Sequence, residues 1–65
     1  NEESSTSEML DLMKNRYVHG FRSVVKLEKY LVEKYGYQVS KEEQLYLLIH
    51  IEKLIQENKK MTEQE

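Results

Sequence analysis

Two histidines, His19 and His50, are the residues of this chain best suited to chemistry near neutral pH, and no cysteine accompanies them. Two imidazoles without a thiolate or a paired-carboxylate spacing make a poor metal set, so no metal or other cofactor is expected. There is no glycine-rich phosphate loop, and no serine stands beside a histidine for nucleophilic attack. An enzyme is therefore not expected. His50 is the residue to explain, because it sits in "EEQLYLLIHIEKL", the most apolar run of the chain. A single histidine on an apolar helix is most often an interior residue with both ring nitrogens hydrogen-bonded. Tyr46 lies about one turn before it and Lys53 about one turn after, so either can bring a polar group to the ring. The second possibility uses the lone pair of a neutral imidazole, which can accept a phosphoryl group. That modification adds nearly two negative charges to a site built from apolar side chains, with Lys53 as the nearest cation. The residues alone leave both possibilities open.

The elements that must hold His50 are helical. The chain has 65 residues, no proline and only two glycines, and its charged residues are mostly Glu and Lys, which favour helices. Residues 1–6 are polar and aperiodic, and are expected to form a flexible N-terminal segment. Ser5 with Glu8 fits a capping box and Ser7 competes as a cap, so a first helix is expected to begin near Ser7. It carries Met9, Leu10, Met13 and Tyr17 as a narrow apolar stripe. "YVHGF" (Tyr17 to Phe21) reads as a break or a kink. A second helix should place Phe21, Val24, Val25, Leu31, Val32 and Tyr35 on one face, and Gly36 should end it in a left-handed conformation. Ser40 and Glu43 form the strongest local signal, a capping box with Glu42 and Glu43 in the first turn. The third helix is expected from about Lys41 to about Asn58, inside a helical region covering residues 7–58. Residues 59–65 are expected to be a frayed tail.

Composition narrows the function further. The chain is 38% hydrophobic and 34% charged, with net charge −2. A domain that grips phosphates is usually basic, whereas here Lys and Arg alternate with Glu, as on a solvated helix face. A helix–turn–helix around Gly36 is the natural rival. Its recognition helix would need exposed polar residues, yet the helix after Gly36 is the most apolar one. Direct nucleic-acid binding is not expected. No apolar run reaches transmembrane length and no signal peptide is visible, so neither a membrane partner nor export is expected and a cytoplasmic location is. The five tyrosines, at 17, 30, 35, 37 and 46, read as core residues with hydroxyls at the rim. A chain of this size buries only about 60% of its unfolded surface. The third helix, apolar on nearly every side over its first half, is too greasy for two neighbours to enclose. A second copy, or more of the same domain, is expected to cover it.

"EKYLVEKYGYQVSKEEQLYLLIHIEKLI" (Glu28 to Ile55) resembles the C-terminal half of a PTS regulation domain, as found in transcriptional antiterminators of the BglG/LicT type and related bacterial activators. The matching features are the Tyr35-Gly36 turn, the short link Tyr37 to Val39, the cap Ser40 to Glu43, and the helix Tyr46-Leu47-Leu48-Ile49-His50-Ile51. The likeness spans roughly residues 8–56 and is strongest from Tyr30 onward. It implies an all-α fold of three helices, the C-terminal part of a five-helix bundle whose first two helices precede residue 1. It also implies that His50 is phosphorylated by the sugar phosphotransferase system, the donor being a phosphocarrier protein or a sugar permease component. Tyr46 and Lys53 become possible neighbours of the phosphate, and phosphorylation would modulate dimerisation. Two departures stand out. Lys53 replaces a frequent arginine, a point charge instead of a planar fork, and Val18 replaces a frequent proline. His19 matches no site of the family and reads as a surface residue. The alternative is a structural dimerisation module in which His50 is merely packed.

Overall fold

The computed structural model describes the backbone of residues 2–63 and the side chains of residues 4–60. Three helices account for nearly all of it: α1 (Glu2–Arg16), α2 (Val18–Tyr35) and α3 (Lys41–Glu63). The fold is all-α, as expected, but two boundaries differ. Helix α1 begins at Glu2 instead of near Ser7, and α3 runs to Glu63, past Asn58. Ser7 is not a cap. It lies inside α1, where its hydroxyl accepts a hydrogen bond from Lys41 Nζ at 3.2 Å.

The break between α1 and α2 is confined to Tyr17, whose φ of −112° and ψ of 66° leave the helical region. The hydrogen-bond ladder crosses it: Tyr17 N–H donates to the Met13 carbonyl at 2.8 Å, and Phe21 N–H to the Tyr17 carbonyl at 2.9 Å. The result is a kink. Val18 takes the first position of α2, a place that suits proline because an N–H there lacks an intrahelical partner. Gly20 lies inside α2 instead of breaking it. Packing is the reason: a Cβ on Gly20 would meet the Glu52 carboxylate and sit 3.1 Å from Leu48 Cδ1. The missing side chain lets α3 come close to α2.

The two ends of the link between α2 and α3 behave as the sequence predicts. Gly36 closes α2 in the left-handed region, with φ 64°. Its N–H donates to the Val32 carbonyl at 2.9 Å, and that of Tyr37 to the Leu31 carbonyl at 3.2 Å. Ser40 opens α3 with a reciprocal cap. Glu43 N–H donates to Ser40 Oγ at 3.2 Å, and Ser40 N–H to Glu43 Oε1 at 3.1 Å.

Among the described residues each helix contributes one buried side chain to the interior: Leu10 from α1 at 5% exposure, Val24 from α2 at 0%, and Leu48 from α3 at 0%. Helix α3 packs on both α1 and α2, more extensively than those two pack on each other. The molecule measures 42 × 32 × 15 Å. Helix α3 starts between Ser7 of α1 and Glu28 of α2, passes Gly20 beside the α1–α2 junction at Leu48 and Glu52, and runs on to Glu63, so it crosses over the kinked pair. The radius of gyration of the molecule is 13.5 Å, against about 11 Å for a compact domain of this length. One helix laid across two others cannot enclose them or be enclosed by them. The continuous apolar face expected for α2 is accordingly not buried: Val24 is, whereas Phe21 and Leu31 are half-buried and Val25, Val32 and Tyr35 are exposed. The tyrosines expected in the core also differ, since Tyr30, Tyr35, Tyr37 and Tyr46 are exposed and Tyr17 is half-buried.

Candidate functional site

The site is built on the start of α3, which both neighbouring helices fix. Lys41 reaches Ser7 on α1, and Gln44 Nε2 donates to Glu28 Oε2 on α2 at 2.8 Å. The capping box then defines the first turn. Tyr37 adds a third hold on it, since its hydroxyl donates to Glu43 Oε2. That bond, followed by the carboxylate charge, holds the Tyr37 phenol above its ordinary range. The same bond first, and those from Ser40 second, hold the Glu43 carboxyl below its ordinary range. The sequence places Tyr37 among the core tyrosines with a hydroxyl at the rim, and not as a support of the capping turn. The available signal was an aromatic hydroxyl three residues before a capping serine.

From this anchored turn, α3 presents Tyr46, Ile49, His50, Lys53 and Leu54 on one face, at spacings of three and four residues. All five are exposed. The apolar members are far from buried: Tyr46 is 61% exposed, Ile49 48% and Leu54 60%. Leu48, on the opposite side, carries the packing of α3 onto its neighbours. His50 is therefore not the interior residue with both nitrogens satisfied that its apolar neighbours suggest. It stands in the middle of an uncovered apolar strip, because the neighbours that would enclose it are not supplied by α1 or α2.

One edge of the His50 ring is engaged. Nδ1 lies 3.1 Å from the Tyr46 carbonyl oxygen. A carbonyl only accepts, so Nδ1 carries the proton in this bond. The Tyr46 ring lies against the imidazole, with centroids 4.1 Å apart and planes inclined at 34°. Of the residues expected beside His50, Tyr46 is thus in contact through both its ring and its backbone. Lys53 shares the face, but makes no hydrogen bond or ion pair among the described residues. His19 is exposed. Among the described residues, the side-chain hydrogen bond made to it falls on its backbone, where the Ser23 hydroxyl donates to the His19 carbonyl at 3.5 Å. No group of three metal-ligating side chains exists among the described residues, and no helix is long and apolar enough to cross a membrane.

The PRD domain family matches residues 1–54, most of the chain. The chain belongs to the PRD domain family. A curated relative, the transcription antiterminator LicT of Bacillus subtilis (strain 168), is 31% identical to this PRD chain over 55 residues. The match covers 85% of the PRD chain and 20% of LicT, so the chain spans about a fifth of the relative's length. No solved structure gives a significant match. The match over residues 1–54 takes in all of α1 and α2 and most of α3, including the capping box and His50.

Proposed function

We propose that this PRD chain is a phosphorylation-responsive interaction module, without catalytic activity of its own, in a bacterial transcriptional antiterminator or activator. It works in the cytoplasm and leaves nucleic-acid binding to another part of the protein. His50 accepts a phosphoryl group from a phosphocarrier protein or a sugar permease component of the phosphotransferase system. Its exposed face, with Tyr46, Ile49 and Leu54 around it, is covered by a second copy or by the rest of the domain. The observation that carries this reading is the position of His50, an accessible imidazole centred on an apolar strip of a PRD helix.

The physical switch follows from desolvation. Tyr46, Ile49 and Leu54 lose little when a partner's apolar side chains cover them. A phosphoryl group with close to two negative charges loses its water on the same surface, and must be offset by cations. Lys53, exposed and unengaged, is the cation this face provides. Phosphorylation therefore changes how the strip is covered, and with it the activity of an attached nucleic-acid-binding unit.

The experiment is phosphotransfer to the intact regulator from purified relay components, with the label mapped by mass spectrometry under conditions that preserve phosphohistidine. Label on His50 is expected. Label elsewhere with none on His50 removes the residue from the mechanism. In cells, His50→Asp is expected to alter sugar-dependent transcription in one fixed direction. A His50→Gln variant that responds to sugar like the wild type contradicts the proposal.

A further inference from the structure

The geometry points to Nε2 of His50, and not Nδ1, as the atom that forms the phosphorus–nitrogen bond. This inference rests on the reading of His50 as a phosphoryl acceptor and specifies its chemistry. The juxtaposition that carries it is the Nδ1 contact with the Tyr46 carbonyl at 3.1 Å on an exposed ring.

An imidazole offers two nitrogens, and only the one without a proton has a lone pair in the ring plane to donate. The carbonyl at Nδ1 accepts only, so the bond exists in the tautomer with Nδ1–H. In that tautomer Nε2 is the nucleophile. Ring geometry reinforces the choice. Nδ1 adjoins the carbon that bears the side chain, and here it is turned toward the backbone of the preceding helical turn. Nε2 lies at the far end of the ring. Tyr46 packs against the ring with planes inclined at 34°, and a flip of the ring about Cβ–Cγ would keep that contact but give up the hydrogen bond at Nδ1.

The step balances simply. The Nε2 lone pair attacks phosphorus of an N-phosphoryl donor, and the new P–Nε2 bond forms as the donor's P–N bond breaks. The electron pair of that bond leaves with the donor nitrogen. Nδ1 keeps its proton throughout, and the Tyr46 carbonyl receives a stronger, charge-assisted hydrogen bond from the resulting imidazolium. The backbone carbonyl acts through position alone and exchanges no proton.

Phosphoramidate, a small donor that releases ammonia, tests this without any partner protein. The chain is labelled folded and again in concentrated urea, and Nε2 and Nδ1 adducts at each histidine are distinguished by nitrogen–phosphorus correlated NMR. His19 is the internal reference, since it is exposed and its ring makes no hydrogen bond among the described residues. One hydrogen bond of ordinary strength gives roughly a fivefold bias. The expected result is an Nε2:Nδ1 ratio at His50 at least about fivefold above that at His19 in the folded chain, and the same ratio at both in urea. Nitrogen-15 shifts of the unlabelled ring should show the Nδ1–H tautomer. Tyr46→Leu keeps the carbonyl and should keep the bias. Equal ratios at the two folded histidines, or a predominant Nδ1 adduct at His50, overturns the inference. If the relay proteins leave His50 unlabelled while phosphoramidate gives the Nε2 adduct, the regulatory proposal fails and the assignment of the nucleophilic atom stands.

Discussion

Replacing Leu48 and Leu54 with alanine, one at a time, tests whether α3 has the inner and outer sides described above. Both are leucines on the same helix, but Leu48 is fully buried and Leu54 is exposed. Truncating a buried leucine costs about 2–5 kcal/mol, because lost transfer energy and a residual cavity add together. A 65-residue chain has a total stability of about 3–10 kcal/mol at the usual 0.05–0.15 kcal/mol per residue. A chain with three buried apolar side chains among its described residues belongs at the lower end. Leu48→Ala is therefore expected to remove most or all of the cooperative unfolding transition. Leu54→Ala leaves no cavity, and should stay within about 0.5 kcal/mol of the wild type. Urea titration followed by far-ultraviolet circular dichroism measures both, at a dilution where sedimentation finds single chains. Repeating the titration at rising concentration adds a second readout. If a second copy covers the strip, wild-type stability rises with concentration by mass action, and Leu54→Ala loses that gain. Equal losses from the two variants at low concentration would refute the assignment of Leu48 to the interior and Leu54 to the surface.

Three further outcomes follow from the same geometry. Ser40→Ala removes the oxygen that accepts the Glu43 N–H, and is expected to cost about 1 kcal/mol in the same titration; no loss would show that the cap is dispensable. The Glu43 carboxyl is held below its ordinary value, so the stability it contributes is complete above the ordinary carboxylate range and drains away as pH falls through its lowered folded value. Tyr37 is raised, so its contribution is complete below the ordinary phenol range and is lost as pH climbs through its raised value. Glu43→Gln should flatten both limbs of the stability–pH curve, and Tyr37→Phe should flatten the alkaline limb and reduce the acid one, leaving what the Ser40 bonds supply; curves that overlay the wild type contradict the link. Gly20→Ala should gain about 1 kcal/mol from helix propensity alone, but Leu48 Cδ1 stands 3.1 Å from the added Cβ and is packed in place. Thermal melting is therefore expected to show no net gain, and a stabilisation by the full propensity difference would sink the packing explanation.

Local chemistry explains which features could be read before any coordinates. Gly36 ends α2 because a left-handed residue is needed there. Ser40 and Glu43 open α3 because an N-terminal turn needs acceptors for its free N–H groups. Both needs are met within a few residues, so a short stretch of chain is enough to reveal them. Gly20 is the opposite case. A glycine in a helical pattern looks like a weakness until the packing of α3 on α2 shows what its missing side chain admits. Ser7 is similar, since its hydroxyl serves Lys41 from a distant part of the sequence and caps nothing.

The sequence by itself determined that the chain is helical, where α2 ends and α3 begins, and that the most apolar helix carries a lone imidazole. It also carried the likeness to the PRD domain family. Apolar content alone could not tell which side of α3 is covered. Periodicity reports how many greasy faces a helix has, whereas burial depends on how many neighbours reach them. Only the tertiary structure decided that α3 crosses the α1–α2 kink at Gly20, that Leu48 takes the inner side, and that His50 stands outside with Nδ1 tied to Tyr46. Contacts between residues far apart in the chain settle those points, and no local pattern encodes them.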